Sequence, residues 1–134
     1  MSSTGHWPLQ QAIYTAISAD STLMALVSGI YDFIPESVTY PYIALGDATG
    51  TDTSNLASPG MRFDLRIFIY SIQGGRKEAA AILDRVYTLL NGASLSVSGQ
   101  TLVFLHATGS SIMLGADAVT YTGTLKLQAG VQGT

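Results

Sequence analysis

A glycine pair followed by two basic residues is the first feature that suggests chemistry, because such loops hold phosphate against a helix N-terminus. The run Gly74-Gly75-Arg76-Lys77 stands directly before a segment with helical apolar periodicity. A phosphate-binding loop also needs an earlier glycine, separated from the glycine before the basic residues by four other residues, and a Ser or Thr after the lysine. Tyr70 and Glu78 occupy those positions. The sequence therefore predicts a plain glycine turn that enters a helix.

Histidine and cysteine content limits the other chemistries. The chain has no cysteine, which removes thiolate catalysis, disulfides and cysteine-based zinc sites. His6 and His106 are too far apart for a helical metal pair, so we expect His106 on a polar sheet face and His6 in an N-terminal arm. No G-x-S-x-G nucleophile elbow occurs. A catalytic triad made of residues distant in sequence is still an alternative, because its members need not be neighbours in the chain.

Asp47 and Asp52 stand in residues 46–60, a stretch rich in Thr, Ser, Asp and Gly without apolar periodicity. Carboxylates of this kind can hold a divalent cation, but the stretch lacks the D-x-D-x-D-G order of a calcium loop. We therefore expect a solvated loop that orders against a partner. The sequence predicts neither a metal nor a cofactor.

Residues 61–70 alternate apolar and polar side chains, as a half-buried strand does. Arg62, Asp64 and Arg66 share the polar face with Phe68 and Tyr70. Opposite charges alone are typical of a solvated sheet face, but the aromatics beside them favour an interface with a polar part. Six side chains are candidate partner contacts, chosen for loop position or for location on the polar face: Asp47, Asp52, Asn55, Arg62, Arg66 and Met113.

Alternating helical and strand patterns predict the elements that position these residues. Helices are expected at 8–18, after an Asp20 cap as far as Gly29, and at 76–91 with Gly92 as the C-terminal cap. Strands are expected at 30–34, 42–45, 61–70 and 119–129, with a hairpin formed by 95–97 and 101–107. We predict a single compact α+β domain over 1–134, a mainly antiparallel sheet with helices on one face, and a flexible arm at 1–7.

Charged side chains are scarce, at 11% of residues against about one quarter in an ordinary soluble domain. Six basic residues and a net charge of −3 argue against an electrostatic DNA binder. The uncharged stretch 86–116 is interrupted by polar residues, so the sequence predicts no membrane span. No secretory leader is visible, and we expect the protein to stay in the cytosol where it is made. Charge depletion also marks interface centres, which favours assembly.

Several blocks follow one another in a set order from about Leu9 to Leu127. They are Leu9-Gln10-Gln11-Ala12-Ile13-Tyr14, Ala19-Asp20, residues 26–32 with Pro35, Tyr40-Pro41-Tyr42-Ile43-Ala44-Leu45-Gly46, residues 61–70, and residues 75–90 with Glu78-Ala79. The order of these blocks resembles the tail-completion, or tail-terminator, proteins of long-tailed bacteriophages. The segments 49–60 and 109–118 match no pattern of that family, which makes them candidates for surfaces particular to this chain.

This resemblance implies a structural, non-enzymatic protein of a phage, prophage or phage-derived particle. It implies a homohexameric ring on the head-proximal end of the tail tube, which stops tube polymerisation and offers a surface to the head connector. The expected partners are other copies of the chain, the tail-tube protein and a head connector or stopper, with DNA only passing through the ring. The expected location is the tail-neck region of the virion, after assembly in the host cytoplasm.

The low charge is consistent with a ring, because each subunit of a heterologous ring buries two different patches. Only Asp117 and Lys126 carry charge after Arg85, so we expect the C-terminal hairpin and final strand to supply a large share of the subunit contacts. A head-side neck component, such as a stopper or adaptor, is the alternative within the virion. An enzyme or a small ligand-binding domain is the alternative outside it and would need a concave pocket with convergent polar groups.

Overall fold

The structure, a computed structural model, describes residues 6–52, 60–97 and 99–133. Within these residues the chain forms two helices, three strands, a third helix and two more strands, and the five strands make one sheet. The sheet has the order β1-β2-β3-β5-β4, in which β1 is parallel to β2 and every other pair is antiparallel. In chain order the elements are α1 His6–Ser18, α2 Ser21–Leu26, β1 Ile30–Tyr31, β2 Tyr42–Asp52, β3 Gly60–Ser71, α3 Lys77–Leu90, β4 Gln100–Leu114 and β5 Tyr121–Gly133.

The helices form where an apolar stripe recurs at helical spacing. In α1 this stripe buries Leu9, Ala12, Ile13 and Ile17. In α3 the buried positions run from Ala79 to Leu90, and Gly92 follows the helix with a φ of 73°, a conformation that glycine adopts without a Cβ clash. The Asp20 carboxylate accepts a hydrogen bond from the Leu23 N–H and caps α2.

One continuous core lies between the three helices and one face of the sheet. On β3 the inward side chains, such as Phe63, Ile67 and Ile69, are buried, whereas Arg62, Asp64 and Arg66 are exposed on the other face. The inward side chains of β5 complete the core with Leu125, Leu127, Ala129 and Val131. The predicted α+β class, with a mainly antiparallel sheet and helices on one face, is confirmed.

The loop predicted for residues 46–60 is wrong over its first half, because β2 continues to Asp52. Thr49 pairs with Asp64 and Thr51 with Arg62, after a bulge between Leu45 and Ala48. Apolar alternation is missing from this half of β2 because its side chains are exposed and backbone pairing with β3 alone holds it in the sheet. Residues 53–59 lie outside the described residues.

The hairpin predicted from 95–97 and 101–107 is also wrong. Residues 93–97 form no strand, and Val97 is buried by packing without a ladder. β4 instead runs to Leu114 and pairs along its length with β5. Its second half is exposed and rich in Gly and Ser, so no local periodicity marks it as a strand. The register with β5, which is a tertiary property, holds it there.

The remaining boundary differences are small. The expected strand at 30–34 shortens to Ile30–Tyr31, and the final strand shifts from 119–129 to Tyr121–Gly133. α1 begins at His6, so the last two residues of the expected N-terminal arm are helical, while residues 1–5 lie outside the described residues. The His6 ring packs edge-on against Phe63, with ring centres 4.9 Å apart. His106 is exposed on the outer sheet face, as predicted.

Candidate assembly surface

The outer face of the sheet, opposite the helices, is the surface on which most of the candidate contact residues lie. Because side chains alternate along a strand, this face is formed by Tyr42 and Ala44 of β2, the even-numbered residues 62–70 of β3 and the even-numbered residues 122–130 of β5. β4 contributes Phe104, His106, Ser111 and Met113 through its pairing with β5. Within the described residues no helix covers this face.

Four tyrosines form one end of the outer face. The Tyr42 ring stacks on Tyr70 at 5.0 Å between centroids, and it contacts Tyr40 at 5.1 Å and Tyr31 at 5.9 Å. Burial, followed by the neighbouring Tyr40, raises the pKa of Tyr42 to about 12. Clustered tyrosines offer large, rigid contact area with polar ends, a composition typical of protein interfaces.

An ion pair occupies the centre of the outer face. Arg66 donates from Nε to Asp47 Oδ1 at 2.8 Å, and its Nη2 donates to Oδ2 of the same carboxylate. The Arg66 hydrogen bonds hold the pKa of Asp47 below its usual value. Arg66 also lies over the Phe68 ring, 5.9 Å from its centroid, and Lys126 stands opposite it in the register with β5. The bidentate geometry fixes the Arg66 side chain on the surface.

The far end of the outer face is formed by Phe104 and His106 on β4. Their rings stack at 5.1 Å between centroids. The Phe104 ring covers Gly130, where an added Cβ would come within 2.3 Å of the ring. Glycine at this position therefore lets an aromatic ring lie flat on the neighbouring strand.

The structure brings only some of the six candidate contact residues together. Asp47 and Arg66 are directly paired, and Arg62 is exposed on the same face opposite Thr51. Met113 is 66% exposed on β4 and lies in the same row of the sheet as Tyr70, two strands away.

The last two candidates lie away from this group. Asp52 is at the end of β2, opposite Met61 of β3. Asn55 lies outside the described residues. All six remain candidates.

Sequence reasoning missed a second surface, a cleft between α1 and the β2 edge. This cleft has a volume of about 330 Å³, and its apolar lining comes from Trp7, Tyr14 and Leu45. Trp7 is 60% exposed. The available signal was the position of Trp7 and Tyr14 off the apolar stripe of α1, where large aromatics are left facing solvent. Asp32, just after β1, lies on the rim.

Among residues 6–52, 60–97 and 99–133, no three His, Asp or Glu side chains come together in a way that could hold a metal ion. No helix of the described chain has both the length and the apolar character needed to cross a bilayer. The surfaces described above offer aromatic area and an exposed ion pair, which is the chemistry of protein binding.

Comparison with known proteins gives matches over nearly the whole chain. The family model described as Tail completion protein gp17 matches residues 11–132. The Tail completion protein gp17 of Bacillus phage SPP1 is 26% identical over 122 residues, which are 90% of this chain and 89% of that protein.

Two solved structures are similar. A chain in the virion of a native gene transfer agent particle has a TM-score of 0.87 and 30% identity, covering 93% of this chain and 95% of that one. The structure of bacteriophage SPP1 gp17 has a TM-score of 0.64 and 23% identity, covering 92% and 88%, which is a likeness of fold.

Proposed function

The chain belongs to the Tail completion protein gp17 family and is a structural protein of phage-type tails, and from that premise we propose that it caps the head-proximal end of a tail tube as a ring. The ring, a homohexamer, terminates tube polymerisation. It then presents a joining surface to the head connector or stopper. It is assembled in the host cytoplasm, lies in the tail-neck region of the virion and has no catalytic role.

The observation that carries this proposal is the likeness to a chain of an assembled virion. The match covers 93% of this chain and 95% of the other, with a TM-score of 0.87. The match therefore spans nearly all of this domain and nearly all of that virion chain. A domain of this size that works inside a large particle must do so through its surfaces.

The two sides of the sheet supply unlike surfaces for that work. The outer face has the tyrosine cluster, the Asp47–Arg66 pair, Arg62 and Met113, whereas the helix side has the cleft beside Trp7. A closed ring with an axial top and bottom needs several different patches on each subunit. Capping follows when one ring face complements the last ring of the tube and the other face offers no site for another tube subunit.

DNA passage through the ring is compatible with the charge of the chain. Six Lys and Arg residues against nine Asp and Glu residues give a net charge of −3. Tight DNA binding depends on many basic contacts that release counterions from phosphates. A ring of such subunits lets a duplex move through it without retaining it.

Tube assembly in vitro tests the proposal. Tail-tube protein is allowed to polymerise with and without the chain, and tube length is measured by negative-stain microscopy. We expect shorter tubes that carry a ring at one end, and light scattering of the mixture gives the mass of the cap. Tubes of unchanged length without caps would refute capping.

Labelling of whole particles then separates the two neck positions. Gold-tagged antibody against the chain should bind at the tube side of the neck. Label on the head side of the neck would instead identify the chain as a stopper or adaptor.

A further inference from the structure

Among the residues that the structure describes, the sheet has two open edges that face opposite directions. One edge is β4, the last strand in the order β1-β2-β3-β5-β4. The other is β2 from Leu45 to Gly50, because β1 pairs only with Ile43 and Ala44. An unpaired edge presents rows of backbone N–H and C=O groups to any strand that comes beside it.

The open part of the β4 edge is residues 110–114. The turn after α3 covers the middle of this edge: Gly92 N–H donates to Leu105 O at 2.7 Å, and Ala107 N–H donates to Asn91 Oδ1 at 2.9 Å. Because Leu105 turns its carbonyl outward, its partner Ala129 must turn its backbone groups to β3, and so must Leu125 and Gly123, which share its parity along β5. The residues that face them and Tyr121, namely Ser110, Ile112 and Leu114, therefore turn their backbone groups outward.

Natural proteins protect exposed edges with charged side chains, proline or very short strands. β4 has bulges between Leu102 and Phe104 and between Ala107 and Gly109, but residues 110–114 continue without one, and the 15 residues of the strand include no proline and no Asp, Glu, Lys or Arg. Apolar side chains also stand at its hairpin end, where Leu114 is 49% and Val119 is 53% exposed. Such an edge is suited to being paired in the assembled state.

The β2 edge has matching features. A bulge separates Leu45 from Ala48. Beyond it, Ala48 and Gly50 face Leu65 and Phe63 of β3 at the positions of the antiparallel ladder where the backbone groups are directed outward. The apolar cleft lined by Trp7, Tyr14 and Leu45 lies directly beside this edge, on the helix side of the sheet. Leu114 of β4 points to the helix side as well. It pairs with Tyr121, which pairs in turn with Ser71, and the Ser71 side chain is buried on the helix side.

We propose that the partner at both edges is a second copy of this chain: residues 110–114 of one copy pair with residues 45–50 of the next, and Leu114 enters the neighbour's cleft. β2 and β5 run in one direction and β3 and β4 in the other, so β4 of one copy pairs antiparallel with β2 of the next when the two copies keep the same strand direction. Ser110 lies level with Leu45 across the sheet, through Leu125 and Ile67, so the pairing also displaces the next copy along the strands. A ring in which the strands are inclined to the ring axis provides this displacement. The two edges lie at opposite ends of one sheet, so one molecule cannot satisfy both. The contact is therefore heterologous, the type that forms a ring when the rotation between copies closes.

This inference rests on the proposed ring and adds its contact. Cross-linking tests it in a chain that has no natural cysteine. Leu114→Cys and Gln10→Cys, the second on the cleft, are mixed and treated with a short bis-maleimide, alone and in the presence of tail tubes. We expect covalent dimers only when both variants are present. A variant with both cysteines in one chain should give a series of cross-linked oligomers, of which the largest has the number of subunits in the ring. Asp84→Cys, on the exposed side of α3, replaces Gln10→Cys as the control.

Ser110→Pro provides the backbone test, with Ser110→Ala as its matched control. The Ser110 N–H faces the open edge, where proline is tolerated, so the variant should keep its circular dichroism and Tm. We expect the population of oligomeric rings to fall by at least about tenfold with proline and to persist with alanine. Proline removes an edge hydrogen bond, and its pyrrolidine side chain blocks the approaching strand. If the proline variant unfolds, Leu114→Lys makes the same test through the cleft.

The outcomes separate the contact from the function. Absence of the mixed cross-link both alone and on tubes would overturn the edge contact, and so would rings of Ser110→Pro as abundant as those of Ser110→Ala. The wild-type chain capping tubes under those results would leave the proposed function intact. Cross-linked rings that leave tube length unchanged would support the edge contact and refute capping.

Discussion

Arg85 and Asp20, 65 residues apart in the chain, form a bidentate ion pair that joins the middle of α3 to the start of α2. Arg85 Nε donates to Asp20 Oδ2 at 2.8 Å, and Nη2 donates to Oδ1 at 2.7 Å. The same carboxylate accepts from the Leu23 N–H. One side chain therefore caps a helix and fixes it against another, which keeps α2 in place beside the core.

The Asp20 pair makes stability depend on pH in a defined window. The hydrogen bonds from Arg85, followed by that from the Leu23 N–H, lower the pKa of Asp20 from 3.8 to about 2. A lowered folded-state pKa stabilises the fold above pH 3.8, and this stabilisation is lost as the pH falls towards 2. We expect the Tm difference between the wild type and Asp20→Asn to be constant above pH 5 and to shrink between about pH 4 and 2. Thermal melts across this range, with Asp84→Asn as a surface control, measure it. A difference that stays constant down to pH 2 would contradict the assignment.

Two glycines under aromatic rings should respond differently to alanine. A Cβ at Gly46 would lie 2.4 Å from the Phe68 ring and 2.6 Å from the Arg66 carbonyl oxygen, which belongs to the backbone of β3. The three atoms nearest to a Cβ at Gly130 all belong to the Phe104 ring, which can rotate away. We expect Gly46→Ala to cost about 1 to 3 kcal/mol of unfolding free energy and Gly130→Ala to cost less. Urea unfolding measures both, and Phe104→Ala should relieve the Gly130 variant alone. Equal costs would show that the backbone contact at Gly46 is unimportant.

The turn between β4 and β5 depends on Asp117. Its carboxylate accepts from Val119 N–H at 3.0 Å, Thr120 N–H at 2.9 Å and Thr120 Oγ1 at 2.7 Å, which lower its pKa to about 2. The lowered pKa means that Asp117 stabilises the fold, but the turn is exposed, so Asp117→Ala should lower the Tm only slightly while it loosens the hairpin end. We expect weaker ring formation, by about threefold to tenfold, if this end enters a neighbouring cleft. Sedimentation measures the loss, and Asp117→Asn, which keeps an acceptor, should be milder. Equal assembly by all three proteins would remove the hairpin end from the contact.

The central ion pair should matter for partners more than for folding. Asp47 and Arg66 are both largely exposed, so their pairing contributes little to stability. We expect Arg66→Glu to reduce tube capping by about tenfold or more, because it places two carboxylates together on the outer face. The exchanged variant Asp47→Arg with Arg66→Asp restores the pair but reverses its direction. Recovery of capping in the exchanged variant would indicate a local structural role, and its absence would indicate contact with a partner. Unchanged capping by Arg66→Glu would contradict an interface at this position.

The tyrosine cluster can be followed by its ionisation. Burial and the neighbouring Tyr40 raise the pKa of Tyr42 to about 12, from an ordinary value of 10. Burial also raises the pKa of Tyr70, so ultraviolet titration of the folded protein should show more than one phenol that ionises late, and Tyr42→Phe should remove the latest step. A raised folded-state pKa also means that stability declines as the pH rises above 10, since the unfolded chain ionises first. An unaltered latest step in Tyr42→Phe would assign it to a different tyrosine.

The elements with one buried face were determined by the sequence alone. The apolar stripes of α1 and α3, the strict alternation on β3 and the Asp20 cap each depend on neighbouring residues in the chain, so they were predicted within a few residues. The α+β class followed from their order. Exposure of Arg62 and Arg66 also followed, because the polar face of a strand is a local pattern. Met113, chosen for a loop position, lies instead in β4.

The second halves of β2 and β4 were decided only by the tertiary structure. Their side chains are mostly exposed, so they need no apolar alternation, and they are strands because β3 and β5 supply hydrogen-bonding partners along their length. The Asp20–Arg85 pair, the Asp47–Arg66 pair and the cleft beside Leu45 likewise join residues far apart in sequence. Local periodicity records which face of an element is buried. Which strand lies beside which depends on the register of the whole sheet, and that register created both the open edges and the surfaces proposed for assembly.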